Sequence, residues 1–247
     1  MAAASAIHSL TAGTALTDEQ LLASYAVADR ATPWLRANFV SSIDGAATHE
    51  GVSGGLGTPA DGRVFPLLRR LADVIVVGAG TVRHEGYRNL ALDEESMTWR
   101  TTNGLSAQPP FAIVTASLRL EPKDLESYAT RPFVITTEKA SAERRKHIEE
   151  VADVIVAGES QVDTVELKHA LTERGYPQLH SEGGPTLFAT MIAQGVVDEL
   201  CLTVSPRLEG GSARRIVDAA DATPQDMMLA HALSAPDGTL LLRYTRS

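Results

Sequence analysis

A chain of 247 residues is long for one domain and short for two, and α/β folds of this length commonly close around a single sheet. Hydrophobic residues make up 44% and charged residues 21%, which supplies a substantial core and argues against disorder. The net charge of −9 repels nucleic-acid backbones and anionic membranes, so a phosphorylated ligand has to be held locally, by backbone N–H groups and a few arginines. Cys201 is the sole cysteine, which excludes an intrachain disulfide, a cysteine-based zinc site and a Cys-x-x-Cys redox pair. Met1 to Leu10 carry no Lys or Arg and no long apolar run, and no stretch approaches the ~20 apolar residues of a membrane helix. The expectation is a cytoplasmic protein that acts on small molecules, with neither nucleic acid nor membrane as partner.

In chain order, residues 1–16 are rich in Ala, Ser and Thr. Thr17-Asp18-Glu19-Gln20 then reads as a capped helix start, and Pro33 is expected to end that helix. Leu35 to Val40 is the first strand, followed by the turn Ser41-Ser42-Ile43-Asp44-Gly45. The glycine-rich Gly51–Gly57 loop leads to Thr58-Pro59, a cap and first-turn pair for a helix reaching about Leu71. Val74 to Val77, Phe111 to Thr115, Phe133 to Thr136, Val154 to Ala157 and Gln178 to His180 are further strands. Helices are expected at about 140–151, 164–174 and 185–194, and about 84–109 as irregular chain. Short Val/Ile runs alternating with helical patterns predict a mainly parallel central sheet flanked by helices. Glu199 to Val204 and Thr239 to Tyr244, the second after a Pro236-Asp237-Gly238 turn, predict antiparallel C-terminal edge strands. The division expected is an N-terminal extension with one helix over 1–30 and a single domain over 31–247.

Three glycine-bearing loops each follow a strand: Ser42-Ile43-Asp44-Gly45, Gly78-Ala79-Gly80-Thr81 and Glu182-Gly183-Gly184-Pro185-Thr186. In a parallel sheet such loops gather at the carboxyl ends of the strands, where glycine permits close backbone approach and a following helix start can hold a phosphate. Any one of them alone is an ordinary tight turn; the three in series are the signal. Neither a Gly-x-Gly-x-x-Gly fingerprint after the first strand nor a Gly-Lys-Thr/Ser phosphate loop occurs, which disfavours an ordinary dehydrogenase or a kinase.

Asn38-Phe39-Val40-Ser41-Ser42-Ile43-Asp44-Gly45, then Thr58-Pro59 and Arg69, Val77-Gly78-Ala79-Gly80-Thr81-Val82, and Glu182-Gly183-Gly184-Pro185-Thr186-Leu187 resemble the reductase domain of the bifunctional riboflavin-biosynthesis deaminase/reductase. Gly195–Leu200 and Ser205–Gly211 resemble it too, so the likeness spans about 35–245. The resemblance implies a stand-alone reductase of dihydrofolate reductase-like fold that uses NADPH to reduce a ribosylamino-pyrimidine 5′-phosphate to the ribitylamino form. It places the cofactor against Val40, Gly57, Gly78, Gly80, Thr81, Glu85 and the run Gly183, Gly184, Pro185, Thr186, Leu187 and Phe188, with Gly183 to Thr190 on the diphosphate. It places substrate against Asn38, Ser42, Ser53 and Arg69, with Arg69 toward a phosphate, and it implies a homodimer. Ala46 stands where the family commonly has Lys or Arg, and Gly54-Gly55-Leu56 replaces a usual Trp. The zinc deaminase half is absent, since its metal site needs more than the one cysteine, Cys201, that the chain has.

Asp44 is the expected proton relay and Glu182 the second acidic group of the site, against plainer readings as an Asx-type turn former and a favourable charge at a helix start. Thr115 and Ser117, after the third strand, are placed to bond a 2′-phosphate, and no acidic residue follows that strand to bond a free ribose. This predicts NADPH over NADH. His49 and His84 flank the site and read as solvated bystanders, while Arg83 and Arg88 serve either cofactor or surface. The apolar segment from Val196 to Val204, with the C-terminal strands, is expected to form the dimer edge. Two alternatives stay open: a reductase of dihydrofolate or a similar pterin, which an acidic residue within reach of a pteridine amine would favour, and a non-catalytic NADP-binding protein.

Overall fold

The alternation of apolar side chains along each Val/Ile run decides the architecture, because both faces of such a strand need cover. The structure, a computed structural model, describes residues 13–86, 91–217 and 224–247. Arg88 and the first twelve residues, read above, lie outside them. In chain order the elements are α1 (Asp18–Tyr25), β1 (Trp34–Ser42), a 3-10 turn (Ser53–Leu56), α2 (Pro59–Leu71), β2 (Val74–Gly78), α3 (Ala79–His84), α4 (Glu94–Thr102), β3 (Phe111–Val114), α5 (Pro122–Leu125), β4 (Phe133–Thr136), α6 (Ala142–Glu149), β5 (Asp153–Val156), α7 (Thr164–Glu173), β6 (Gln178–Ser181), α8 (Pro185–Ala193), β7 (Glu199–Ser205), β8 (Met227–Ser234) and β9 (Leu240–Arg246).

Among the described residues nine strands form one sheet, ordered β5-β4-β3-β2-β6-β1-β7-β9-β8. Strands β1 to β7 pair in parallel, while β9 runs antiparallel to both β7 and β8. Along β2, Val74 and Val76 join the cluster under α7 and α8 with Leu35, Ile135, Leu171, Phe188 and Met191. Ile75 and Val77 join the opposite cluster with Ile113, Val134 and Ile148. A third cluster packs Leu21, Leu22 and Tyr25 of α1 on Val64, Leu67 and Leu68 of α2, with Cys201 and Leu241 from the sheet. Helix α1 is thus built into the same core as the strands. No described helix is long and apolar enough to cross a membrane.

Several boundaries differ from the sequence reading. Helix α1 stops at Tyr25, well before Pro33, because guanidinium groups claim its terminal carbonyls. Arg243 donates to the Ser24 carbonyl at 2.6 Å, and Arg36 to that of Tyr25. The stretch expected to be irregular holds α4, whose Asp93 side chain accepts from the Ser96 backbone N–H at 2.7 Å. Strand β8 has no expected counterpart; its exposed Met228 and Leu229 break the alternation that marks a half-buried strand. The expected dimer edge at 196–204 is interior: Val196 and Val197 are core residues and β7 lies between β1 and β9. The outer strands are β5 and β8.

Arg100 is the largest fully buried side chain. It projects from α4 under the C-terminus of α2, where Nη1 donates to the Arg70 carbonyl at 2.9 Å and the Ala72 carbonyl at 2.5 Å, and Nε to the Ser106 carbonyl at 2.7 Å. Burial pulls its pKa down to about 10, which still leaves it charged at neutral pH. Arg100→Met should keep the packing and leave those carbonyls unpaired. We expect a loss of at least about 2 kcal/mol in urea unfolding, since each buried orphan costs about 1–3 kcal/mol.

Candidate active site

The parallel register brings the carboxyl ends of β1, β2 and β6 together. Ala37 is opposite Ser181 and Val76 opposite Ser181 on the other side, so the loops that follow share one rim. The β6–α8 loop is tied to the end of β2: the Glu182 N–H donates to the Val76 carbonyl at 3.0 Å, and the Gly78 N–H to the Gly183 carbonyl at 2.7 Å. Two clefts open on this rim. One, about 390 Å³, lies between β1, the 53–57 turn and α2, and is lined by Asn38, Val40, Ser53, Gly57, Asp61, Phe65 and Glu182 among others. The second, about 710 Å³ and more open, is lined by Gly78, Gly80, His84, Thr186, Leu187 and Arg214 among others. Thr81, Glu85, Gly184 and Pro185 line both, so the clefts communicate.

A buried ion pair forms the wall of the first cleft. Arg69 donates to Glu182 in the bidentate manner, Nε to Oε1 at 2.6 Å and Nη2 to Oε2 at 2.7 Å, and its guanidinium lies 4.5 Å from the Phe65 ring centroid. His180 beneath is fully buried, with Nε2 3.5 Å from Glu182 Oε1; burial pushes its pKa down to about 4, so the ring is neutral. Asp61, in the first turn of α2, is half-buried in the same cleft. Its Oδ1 accepts the Thr203 hydroxyl at 2.6 Å, and burial raises its pKa above the ordinary carboxylate value.

The second cleft has the chemistry of a phosphate site. Helix α8 starts at Gly184 with no side-chain cap and Pro185 in its first turn. The N–H groups of Thr186 and Leu187 therefore have no acceptor within the helix and face an open mouth. Gly183 has φ +85°, and a Cβ there would lie 2.9 Å from the Phe39 ring; a Cβ on Gly184 would lie 2.6 Å from Thr81 Oγ1. At Gly80 a Cβ would meet nothing within 4 Å, so that position leaves the cleft wall bare. These features fit a dinucleotide diphosphate. They also change what Gly184 reports: a side chain there collides with Thr81 before it could meet a cofactor.

Of the residues anticipated from sequence, Asn38, Val40, Ser53, Gly57, Gly78, Gly80, Thr81, Glu85, Glu182, Gly184, Pro185, Thr186 and Leu187 line one or both clefts. Glu85 also accepts the Ser53 backbone N–H at 2.8 Å. Others are placed differently. Asp44 lines neither cleft. Its Oδ1 accepts the Ser42 hydroxyl at 2.5 Å and the Glu209 N–H at 3.1 Å, and its Oδ2 the Gly210 N–H at 2.7 Å. The first of these bonds, with the two N–H groups behind it, holds the carboxyl down to about pH 2. These bonds are the ones the turn-forming reading expects of Asp44, and Ser42 belongs to the same turn. Glu182 is likewise committed to Arg69, which therefore meets a carboxylate where a substrate phosphate was expected. Phe188 is core, stacked on Phe39 at 4.5 Å between centroids. Thr115 is buried and its hydroxyl accepts the Leu118 N–H at 3.1 Å, while Ser117 is exposed beyond the end of β3; neither lines the two clefts.

The segment 206–215 is laced over the 42–49 turn. The Ile43 N–H donates to the Arg207 carbonyl at 2.9 Å, the Ala47 N–H to that of Arg214 at 2.7 Å, and His49 Nδ1 lies 2.9 Å from Glu209 Oε2. His49 is thus a clasp of this strap, and His84 Nδ1 lies 2.7 Å from the Gly80 carbonyl. Asp61 is the cleft residue that sequence reasoning missed. An acidic residue three positions after a Thr cap passes for ordinary helix punctuation.

Residues 33–241 match the family described as the RibD C-terminal domain. The chain is 30% identical over 182 residues to a protein of Archaeoglobus fulgidus named 2,5-diamino-6-ribosylamino-4(3H)-pyrimidinone 5′-phosphate reductase, covering 72% of this chain and 83% of that one. Among solved structures, a pyrimidine reductase-like protein from Corynebacterium diphtheriae is similar with a TM-score of 0.82 at 28% identity, covering 93% of this chain and 98% of the other. Dihydrofolate reductase from Enterococcus faecalis, complexed with NADP(H), shares the fold at a TM-score of 0.51 and 13% identity, covering 87% of this chain and 96% of the other.

Two substitutions separate frame from chemistry. Arg69→Met strands a buried carboxylate and should cost about 3–5 kcal/mol in chemical denaturation, with the Arg69→Met/Glu182→Leu pair costing less than the single change. Asp44→Asn should leave turnover within a few-fold of normal; a drop of the ~10²–10⁴-fold typical of general acid–base groups would return Asp44 to the mechanism.

Proposed function

The chain belongs to the RibD C-terminal domain family, and we propose that it is a cytoplasmic, NADPH-dependent reductase that converts a ribosylamino-pyrimidine 5′-phosphate to its ribitylamino form. Its relatives are reductases and the chain is an oxidoreductase of mixed α/β, dihydrofolate reductase-like fold. The observation that carries the reading is the meeting of a ring-sized cleft with a phosphate-ready one at Thr81, Glu85, Gly184 and Pro185. NADPH, when bound, supplies a hydride with its two electrons. The substrate change is then the gain of that hydride at the sugar C1′, cleavage of the C1′–O4′ bond, and uptake of one proton by O4′.

The protein's part is to hold and orient. The free N–H groups of Thr186 and Leu187, at the positive end of α8, hold the diphosphate, and bare Gly80 lets it approach. Ser117 is the side chain left to meet a 2′-phosphate, because it is exposed whereas Thr115 is buried. Phe65 offers a flat face to the pyrimidine, while Asn38 and Ser53 face the sugar from the opposite wall. Fixing two reactants in one geometry in this way removes much of the entropic part of the barrier.

Asp61 favours a second reading, reduction of dihydrofolate or a similar pterin, since it is an acidic group within reach of an amine on a bound ring. In either case the protein works as a homodimer. The exposed apolar pair Met228 and Leu229 on outer strand β8 is the surface a second copy covers.

NADPH oxidation by the purified protein should be rapid with the ribosylamino-pyrimidine phosphate, slower with dihydrofolate and negligible with neither; oxidation of NADPH with dihydrofolate alone would select the second reading, and none at all a binding protein. Gly80→Val should weaken NADPH binding by more than about tenfold, 1.4 kcal/mol, at unchanged melting temperature. NADPH should bind more tightly than NADH in titration calorimetry, and Ser117→Ala should narrow the gap. Light scattering should give twice the chain mass, and Met228→Lys should lower it to one.

A further inference from the structure

A further cavity, of about 430 Å³, lies at the opposite end of the sheet, between α1, α4 and the starts of β1 and β6. It shares no lining residue with the two clefts of the rim. Trp34 and Trp99 line it, with Leu22, Leu71 and Leu105. Into this apolar wall are set two side chains of β6 that are more than nine-tenths buried, Gln178 and His180, on one face of the strand. Gln178 gives its Nε2 to the Arg30 and Thr32 carbonyls, at 2.8 and 2.9 Å, and its Oε1 has no donor among the described residues. Neither ring nitrogen of His180 makes a hydrogen bond. Nε2 lies 3.5 Å from the acceptor Glu182 Oε1, so the neutral ring is assigned its hydrogen on Nε2, which leaves Nδ1 an acceptor. Two buried acceptors without donors carry a desolvation cost that an N–H from an occupant would remove.

The cations of the same wall are already engaged. Arg30 bonds the Asp73 carboxylate and the Leu71 carbonyl, and Arg36 bonds Glu199 and the Tyr25 carbonyl. Glu19, the acid of the lining, is exposed to solvent. An anion brought into this cavity would lose its hydration without gaining a counter-charge. The volume is that of a small-molecule site, and the two tryptophans supply aromatic surface for a flat ring. We propose that this cavity is a second ligand site, for an uncharged planar aromatic molecule whose N–H groups meet the open acceptors of Gln178 and His180. Donors are what the site lacks, so a ring of the same shape that only accepts is refused. Glu182 follows His180 by two residues, so an occupant held by His180 adjoins, from behind, the carboxylate that fixes the wall of the ring-sized cleft.

The chain has two tryptophans and both line this cavity, while neither lines the clefts of the rim. Their indole signals in a nitrogen–proton correlation spectrum of the labelled full chain therefore report its occupancy, independently of turnover. The probes are indole and benzofuran, the same two fused rings with an oxygen acceptor in place of the N–H. Indole should shift both tryptophan signals and bind at least about tenfold more tightly than benzofuran, the difference made by one bond to a buried acceptor. A second donor in 5-aminoindole should tighten binding further, and the anion indole-3-acetate should bind more weakly than indole. Gln178→Met, close in size but without the carbonyl, should cut the preference for indole over benzofuran at least about threefold. Ala23→Phe, at an exposed position on the cavity wall, should exclude both probes at unchanged melting temperature, and it leaves the Gln178 bonds untouched. Equal binding of indole and benzofuran overturns the proposal, as does tighter binding of the anion, or indole binding that survives Ala23→Phe. Absence of any shift at millimolar indole overturns it too, since water alone then satisfies the two acceptors.

Discussion

The Arg69–Glu182 pair is the constraint on which the site depends. Its partners lie 113 residues apart in sequence, one near the end of α2, the other at the start of the loop between β6 and α8. The bond joins the wall of the ring-sized cleft to the loop that would carry a dinucleotide. A buried ion pair contributes little net stability against an apolar replacement, because desolvation offsets most of the attraction. What it contributes here is position. Both carboxylate oxygens are taken, the guanidinium lies over the Phe65 ring, and neither wall can shift without leaving a charge uncompensated.

Around that bond the loops are fixed by backbone economy. Glu182 and Gly183 complete the edge of β2, and Gly183 sits so close to Phe39 that the Phe39–Phe188 stack and the loop hold each other in place. Across the rim, Asp44 takes two N–H groups of the 206–215 strap, so a single turn after β1 carries a segment that arrives more than 160 residues later.

Much of this was legible in the sequence, for physical reasons that also mark where legibility stopped. Short Val/Ile runs with glycines after them are a direct record of a doubly covered parallel sheet, and Thr17, Thr58 and Pro185 mark helix starts through local bonds. Local signals fail where a distant side chain intervenes. The end of α1 is set by Arg36 and Arg243, whose approach nothing near Tyr25 announces. Helix α4 did carry a signal, Asp93 ahead of two glutamates, within a stretch whose lack of apolar periodicity concealed it. In the site, residue type pointed to chemistry but not to partner. Asp44 and Arg69 were read as free groups, and both are bound to the protein itself. Asp61 looked like helix punctuation, and only its burial beside Thr203 distinguishes it.

The sole thiol has a consequence for how this molecule can be watched. Cys201 is buried on β7, between β1 and β9, with Sγ 3.3 Å from Glu199 Oε1, and burial raises its pKa well above that of a free thiol. In the native state it is therefore inert to alkylating reagents, which need an exposed thiolate. Reagent can reach it only when the β1-β7-β9 seam parts, an opening of the sheet itself and not the fraying of a loop. The rate at which a folded sample consumes a thiol reagent is thus a clock for the opening of its central strands, read opposite Asn38 on the back of the ring-sized cleft.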